Sequence, residues 1–188
     1  MKLETIITLA AEGRVIARGL KHRYGLRDVD LIYALIRVLR PSCVVETGLG
    51  EGLSSRLVIE ALERNRHGKL VSIDPCEGLL KCNEFGRLVP QYLYHRWTLV
   101  KKRSQQALLD LLHQLGEIDL FIHDSNHSYQ NMYWELSTAL PYTRMCLIAD
   151  DIGENNAYDD FARAHGLARV RLTMGLGVLI TRKVYYAT

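Results

Sequence analysis

Acids stand where apolar runs end in this chain of 188 residues. Glu46 and Thr47 close "CVVET", Asp74 closes "KLVSID", Asp124 closes "DLFIHD", and Asp150 with Asp151 ends "MCLIADD". Asp124, Asp150 and Asp151, if brought into one cleft, would repel one another and hold either protons or a cation. Hard oxygen donors suit Mg²⁺, or else Ca²⁺ or Mn²⁺. His127 lies three residues after Asp124. A histidine exchanges a proton near neutral pH, so His127 is a candidate general base, the plainer alternative being a residue that opens the next helix. An ionised Asp74 accepts through both oxygens, which suits a diol such as that of ribose.

The first apolar run leads into "TGLGEGLSS", with Gly48, Gly50 and Gly52 at alternate positions. Glycine loses the most backbone freedom on ordering, so this loop implies a close approach that side chains would block. A dinucleotide fingerprint, G-x-G-x-x-G, would need glycine where Leu53 stands. The spacing from Glu46 to Gly52 is E-x-G-x-G-x-G instead.

The elements that must position these residues follow from periodicity. Val29, Ile32, Tyr33, Ile36 and Leu39 mark one helical face, with Asp28 as N-cap and Pro41 as stop. Strand-like runs then alternate with the helical stretches "SSRLVIEALERN", "CEGLLKCNEFGRLV", "SQQALLDLLHQL" and "SYQNMYWELSTAL". That alternation predicts an α/β fold whose parallel sheet is covered on both faces. The last two runs, "RVRLTM" and "GVLITR", stand too close for a crossover and predict an antiparallel C-terminal hairpin. Residues 1–188 read as one domain, with 1–40 a helical segment packed on it, and the stretch 86–96 as a loop or broken helix over the site. In such a sheet, ligands bind beyond the C-terminal strand ends, where all these acids fall. His123 alternates with Asp124 along its strand, so the two should face opposite ways, which leaves His123 outside the site.

Composition narrows the classes. Hydrophobic residues make up 48% and charged residues 24%, with a net charge of +3 and scattered basic residues. That bias is too weak to argue for nucleic acid as a partner. No apolar run is long enough for a membrane span. The cysteines form no CxxC pair, so reduced thiols and a cytoplasmic location are expected.

The glycine loop, Asp74 and the predicted topology resemble the class I methyltransferases that use S-adenosylmethionine, over residues from about 40 to 183. The resemblance implies a Rossmann-like seven-stranded, mostly parallel sheet. It implies Glu46 near the cofactor's ammonium, Thr47, Gly48, Gly50 and Gly52 along its methionine part, Ser54 on its carboxylate and Asp74 on its ribose. Arg103 stands where relatives carry an acid beside adenine, and Ser104 or Gln105 takes that place. More narrowly, "HDSNHSY" resembles the "DGDHSY" of the macrocin O-methyltransferase and cephalosporin hydroxylase group, with Asn126 replacing the second acid. It is also similar to the catechol type. That likeness implies a divalent metal on Asp124, Asp150 and Asp151, and His127 as base beside Asp124, which also touches the cofactor.

The activity so implied is methyl transfer to a hydroxyl of a small molecule. Tyr92, Tyr94, Tyr129 and Trp134 are candidates for an aromatic wall. The N-terminal helices and residues 86–96 shape the acceptor pocket, or a second subunit of a homodimer does. Two other classes compete. Asn126 and Arg103 motivate a non-catalytic S-adenosylmethionine-binding module. A nicotinamide-dependent oxidoreductase is disfavoured by Leu53 and the hairpin.

Overall fold

The computed structural model describes residues 3–20, 28–77 and 83–181. Two helices come first, α1 (Leu3–Arg18) and α2 (Val29–Leu39). Then follow β1 (Cys43–Thr47), α3 (Leu53–Asn65), β2 (Lys69–Ile73), a 3₁₀ turn at Gln91–Arg96 and β3 (Trp97–Val100). The second half comprises α4 (Ser104–Leu115), β4 (Ile118–His123), α5 (Tyr129–Ala139), β5 (Thr143–Ala149), α6 (Ala157–His165), β6 (Ala168–Arg171) and β7 (Gly177–Ile180).

The strands form one sheet in the order β3-β2-β1-β4-β5-β7-β6. The first five are parallel, whereas β7 runs antiparallel to both β5 and β6. This is the predicted Rossmann-like architecture. It follows from the two-residue period of strands, which sends successive side chains to opposite faces. Val44, Leu120, Ile122 and Ile148 pack into a core with Ile32, Tyr33, Leu57 and Leu62 of α2 and α3. Val45, Phe121 and Leu147 join Leu108, Leu112, Leu136 and Phe161 of α4, α5 and α6 on the other side.

Two expectations are corrected. Asp28 occupies the N-cap position of α2, but its side chain makes no capping bond. Its carboxylate instead accepts from the Thr173 hydroxyl in the loop before β7. The stretch "CEGLLKCNEFGRLV" was expected to be helical. Its residues 78–82 lie outside the described ones, and residues 83–89 form turns. Their backbone bonds go to the glycine loop: Gly86 N donates to Gly50 O and Leu88 N to Glu51 O, both at 3.0 Å. Arg87 adds an ion pair to the buried Glu51 at 2.8 Å. Tertiary bonding thus overrides a sequence that reads as helix.

Candidate functional site

The strand ends open onto two cavities that meet at Gly50 and Asp124. The larger, about 750 Å³, is lined by Gly48, Asp74, Ser104, Gln105, Ser125 and Asn131 among others. The smaller, about 360 Å³, is lined by Leu49, Ser54, Asp150, Asp151 and His127, with Val29 of α2 at its side.

The three glycines of the loop have three different causes. All have positive φ, +86°, +49° and +86° in turn. A Cβ on Gly48 would meet the Asp124 carbonyl oxygen, and one on Gly52 would meet Gly86 Cα at 3.0 Å. A Cβ on Gly50 would meet nothing within 4 Å. Gly50 alone therefore keeps cavity space open. Gly48 lets β1 and β4 close up, and Gly52 lets the 83–89 segment lie on the loop.

Asp74 organises the same loop. Its Oδ2 accepts from Leu49 N at 2.8 Å and from Gly50 N at 3.4 Å, and its Oδ1 accepts from Cys76 N at 2.6 Å. Glu46 and Thr47 do not line either cavity. Glu46 turns toward α3, where Oε1 accepts from Ser55 and Ser72 hydroxyls. Burial raises its carboxyl to about 7. Thr47, one residue on, turns the other way and donates to Glu135 of α5 at 2.5 Å. Ser104 lines the larger cavity beside Arg103, which reaches Glu77 at 3.0 Å with both side chains exposed.

Asp124, Asp150 and Asp151 are brought together, as expected. Asp124 stands beside the Asp150 carboxylate, and burial and that neighbouring charge push its carboxyl well above the usual range. Burial and the Asp151 carboxylate likewise raise Asp150. The Asp124 side chain retains 32% exposure and lines both cavities. His127 Nε2 lies 3.9 Å from Asp124 and 3.8 Å from Asp151. Its Nδ1 is buried without a hydrogen-bond partner. These hard donors match a divalent cation in chemistry. Among the described residues, however, no three His, Cys, Asp or Glu side chains are arranged as a ligand group.

His123 lines neither cavity. Its ring does point to the α5 side, where Nδ1 meets Glu135 at 2.6 Å. Yet the next residues turn back, so the His127 ring lies edge-on to it with centroids 5.5 Å apart. Sequence periodicity holds along a strand and lapses where the strand ends. The aromatic wall is also corrected. Tyr92 bonds Glu60, Tyr94 packs on Trp97, Tyr129 stacks on Tyr133, and Trp134 packs against the core under α5. None of these four lines either cavity; Phe85 lines the larger. Glu135, Ser125 and Asn131 were not singled out in the sequence, since a lone acid inside a helix reads as a solvated one.

The pattern of a family described as "Methyltransferase domain" matches residues 45–152. The chain belongs to that family. No curated protein sequence matches. Among solved structures, a methyltransferase of Podospora anserina bound to SAH is 14% identical, with a TM-score of 0.63 over 96% of this chain and 89% of that one. An O-methyltransferase from Bacillus cereus in complex with SAH is 14% identical, with a TM-score of 0.59 over 97% and 92%. A methyltransferase from Geobacter sulfurreducens is 19% identical, with a TM-score of 0.63 over 93% and 88%. At these identities the likeness is one of fold. Among the described residues no helix is long and apolar enough to cross a membrane.

Proposed function

We propose that the protein transfers the methyl group of S-adenosylmethionine to a hydroxyl of a small molecule. The observation that carries this reading is the junction of the two cavities at Gly50 and Asp124. The larger cavity takes the adenosine part, with Asp74 on the ribose and Ser104 and Gln105 beside the base. The methionine part crosses Gly50 toward Ser54. The acceptor enters the smaller cavity, where His127 takes its proton.

The reaction is an in-line displacement at a sulfonium methyl, so alignment supplies much of the acceleration, up to about 7–11 kcal/mol. A divalent cation on Asp124, Asp150 and Asp151 would lower the acceptor's hydroxyl pKa. What supports it is the donor chemistry: three carboxylates stand together, and burial and the Asp150 charge raise Asp124 well above the usual range, a cost that a cation would offset. The SAH-bound neighbours support the cofactor. Cytoplasmic location rests on free thiols at Cys43, Cys76 and Cys146. A homodimer belongs to the same reading, and sedimentation tests it.

The deciding experiment is transfer of radiolabelled methyl from S-adenosylmethionine to a panel of hydroxyl acceptors, with Mg²⁺ and with excess chelator. Turnover that chelator abolishes supports both parts. Full turnover in chelator removes the metal and keeps the transferase. Absence of both turnover and S-adenosylhomocysteine (SAH) binding sinks the reading.

A further inference from the structure

Three polar side chains on the wall of the larger cavity share one hidden partner. Ser125 Oγ donates to Glu135 Oε1 at 2.9 Å, and Asn131 Nδ2 donates to the same oxygen at 3.2 Å. Ser104 also hydrogen-bonds this carboxylate. On the other oxygen, Oε2, Thr47 donates at 2.5 Å and His123 Nδ1 lies at 2.6 Å. Glu135 itself is fully buried, and it lines neither cavity.

The five partners come from separate pieces of chain: the end of β1, the start of α4, the end of β4 with the loop after it, and the first turns of α5. Burial alone would raise the Glu135 carboxyl. The hydrogen bonds from His123, Ser104 and Thr47 outweigh it and hold the group below its ordinary value. A fully satisfied buried ion of this kind adds little net stability over an apolar residue of the same size. Its distinct effect is directional, because each donor must point at one place. His123, fixed by Glu135, also packs edge-on against His127.

We infer that Glu135 is a positioning residue of the site, setting the orientation of Ser104, Ser125 and Asn131 on the cofactor wall and, through His123, of the His127 ring. This rests on the reading that the larger cavity holds S-adenosylmethionine. Glu135 touches neither ligand and acts only through the groups it holds.

The test compares two buried carboxylates. Glu135→Gln keeps shape and one accepting oxygen but places an amide against Thr47 and His123, or against Ser125 and Asn131. Asp119→Asn is the control. Asp119 is held by Ser42 at 2.6 Å and Arg144 at 2.5 Å, at the opposite ends of β1 and β4. Calorimetric titration with SAH is run on each folded variant, with melting temperature and steady-state KM for S-adenosylmethionine alongside. Expected is at least tenfold weaker SAH binding and a raised KM in Glu135→Gln, and unchanged affinity in Asp119→Asn despite a lower melting temperature. Affinity within twofold of wild type in Glu135→Gln overturns the inference, and so does equal weakening in Asp119→Asn. Should Glu135→Gln fail to fold, Thr47→Val decides: it deletes one donor at constant volume, two- to fivefold weaker binding supports the inference, and unchanged binding overturns it. Wild-type protein that binds no SAH overturns the cofactor reading and this inference together. Wild type that binds beside a Glu135→Gln variant that binds equally overturns the inference alone.

Discussion

The carbonyl oxygen of Asp124 lies 1.8 Å from the point where a Cβ on Gly48 would begin. The two residues directly follow neighbouring strands, β1 and β4, and Asp124 N donates to Thr47 O at 2.9 Å beside them. The strand ends that carry the site can close only because position 48 has no side chain.

That contact separates two glycine variants. Gly48→Ala should lose about 2–5 kcal/mol of stability, from left-handed backbone strain and overpacking together. Gly50→Ala meets no atom, so it should lose only the strain, about 1–2 kcal/mol. Its methyl nevertheless projects into the cavity junction and should weaken SAH binding at least tenfold. Urea denaturation and calorimetry on both variants check the contrast. A Gly50→Ala protein that binds SAH normally would reduce this glycine to a turn residue.

Asp74 should be needed twice. Its two oxygens already take three backbone N–H groups, from Leu49, Gly50 and Cys76. In Asp74→Asn an amide faces at least one of those donors, which costs about 1–3 kcal/mol in folding. The ribose diol loses a charged acceptor as well, weakening SAH by about 1.5–3 kcal/mol, roughly 10- to 150-fold. Unchanged affinity in calorimetry takes Asp74 out of the site.

The strand ends were legible in the sequence, and their consequences only partly so. Period-two alternation and the short link before β7 specify the sheet, because both are local and geometric. The convergence of Asp124, Asp150 and Asp151 follows from that topology alone. What periodicity could not reach was the direction of side chains past the last strand residue, as with His127. Nor could it show where Glu46 turns. An acid at a strand end looks the same whether it faces a cavity or the α3 layer, and Glu46 faces α3. The helix expected across "CEGLLKCNEFGRLV" gives way to turns at 83–89 because their partners lie in the glycine loop, more than thirty positions earlier in the chain.

Glu46 should leave a signature in the pH dependence of stability. Burial raises its carboxyl from 4.5 to about 7 in the folded state. The folded protein therefore binds more protons than the unfolded chain between those values, and stability falls as pH rises across that window. Below about pH 4.5 the contribution is fully present, and above about pH 7 it is lost. Glu46→Gln, which cannot titrate, should remove this part of the slope. Urea titrations of wild type and variant from pH 4.5 to 8 check it, and parallel curves would show that Glu46 is already ionised in the fold.

His127 carries the last expectation. Its Nε2 sits between Asp124 and Asp151, while Asn155 Nδ2 donates to its backbone oxygen at 2.7 Å and fixes the loop. The ring lines the smaller cavity and is absent from the larger. His127→Ala should therefore leave SAH affinity within about twofold, since the groups proposed to hold the cofactor stay in place. Turnover should fall by about 10²–10⁴-fold, the usual range for a lost general base. The loss should lie in kcat more than in KM for S-adenosylmethionine, because the proton leaves only as the methyl moves. Asp150→Asn makes the complementary case. It removes one of the three carboxylates proposed to hold the metal, and Mg²⁺ should then raise the melting temperature less than in wild type, as a ligand bound only by the folded state acts by mass action. Single-turnover kinetics with SAH titrations on both variants separate the two effects. Near wild-type kcat in His127→Ala would make His127 a residue that opens α5, with the acceptor's proton going to an aspartate or to water.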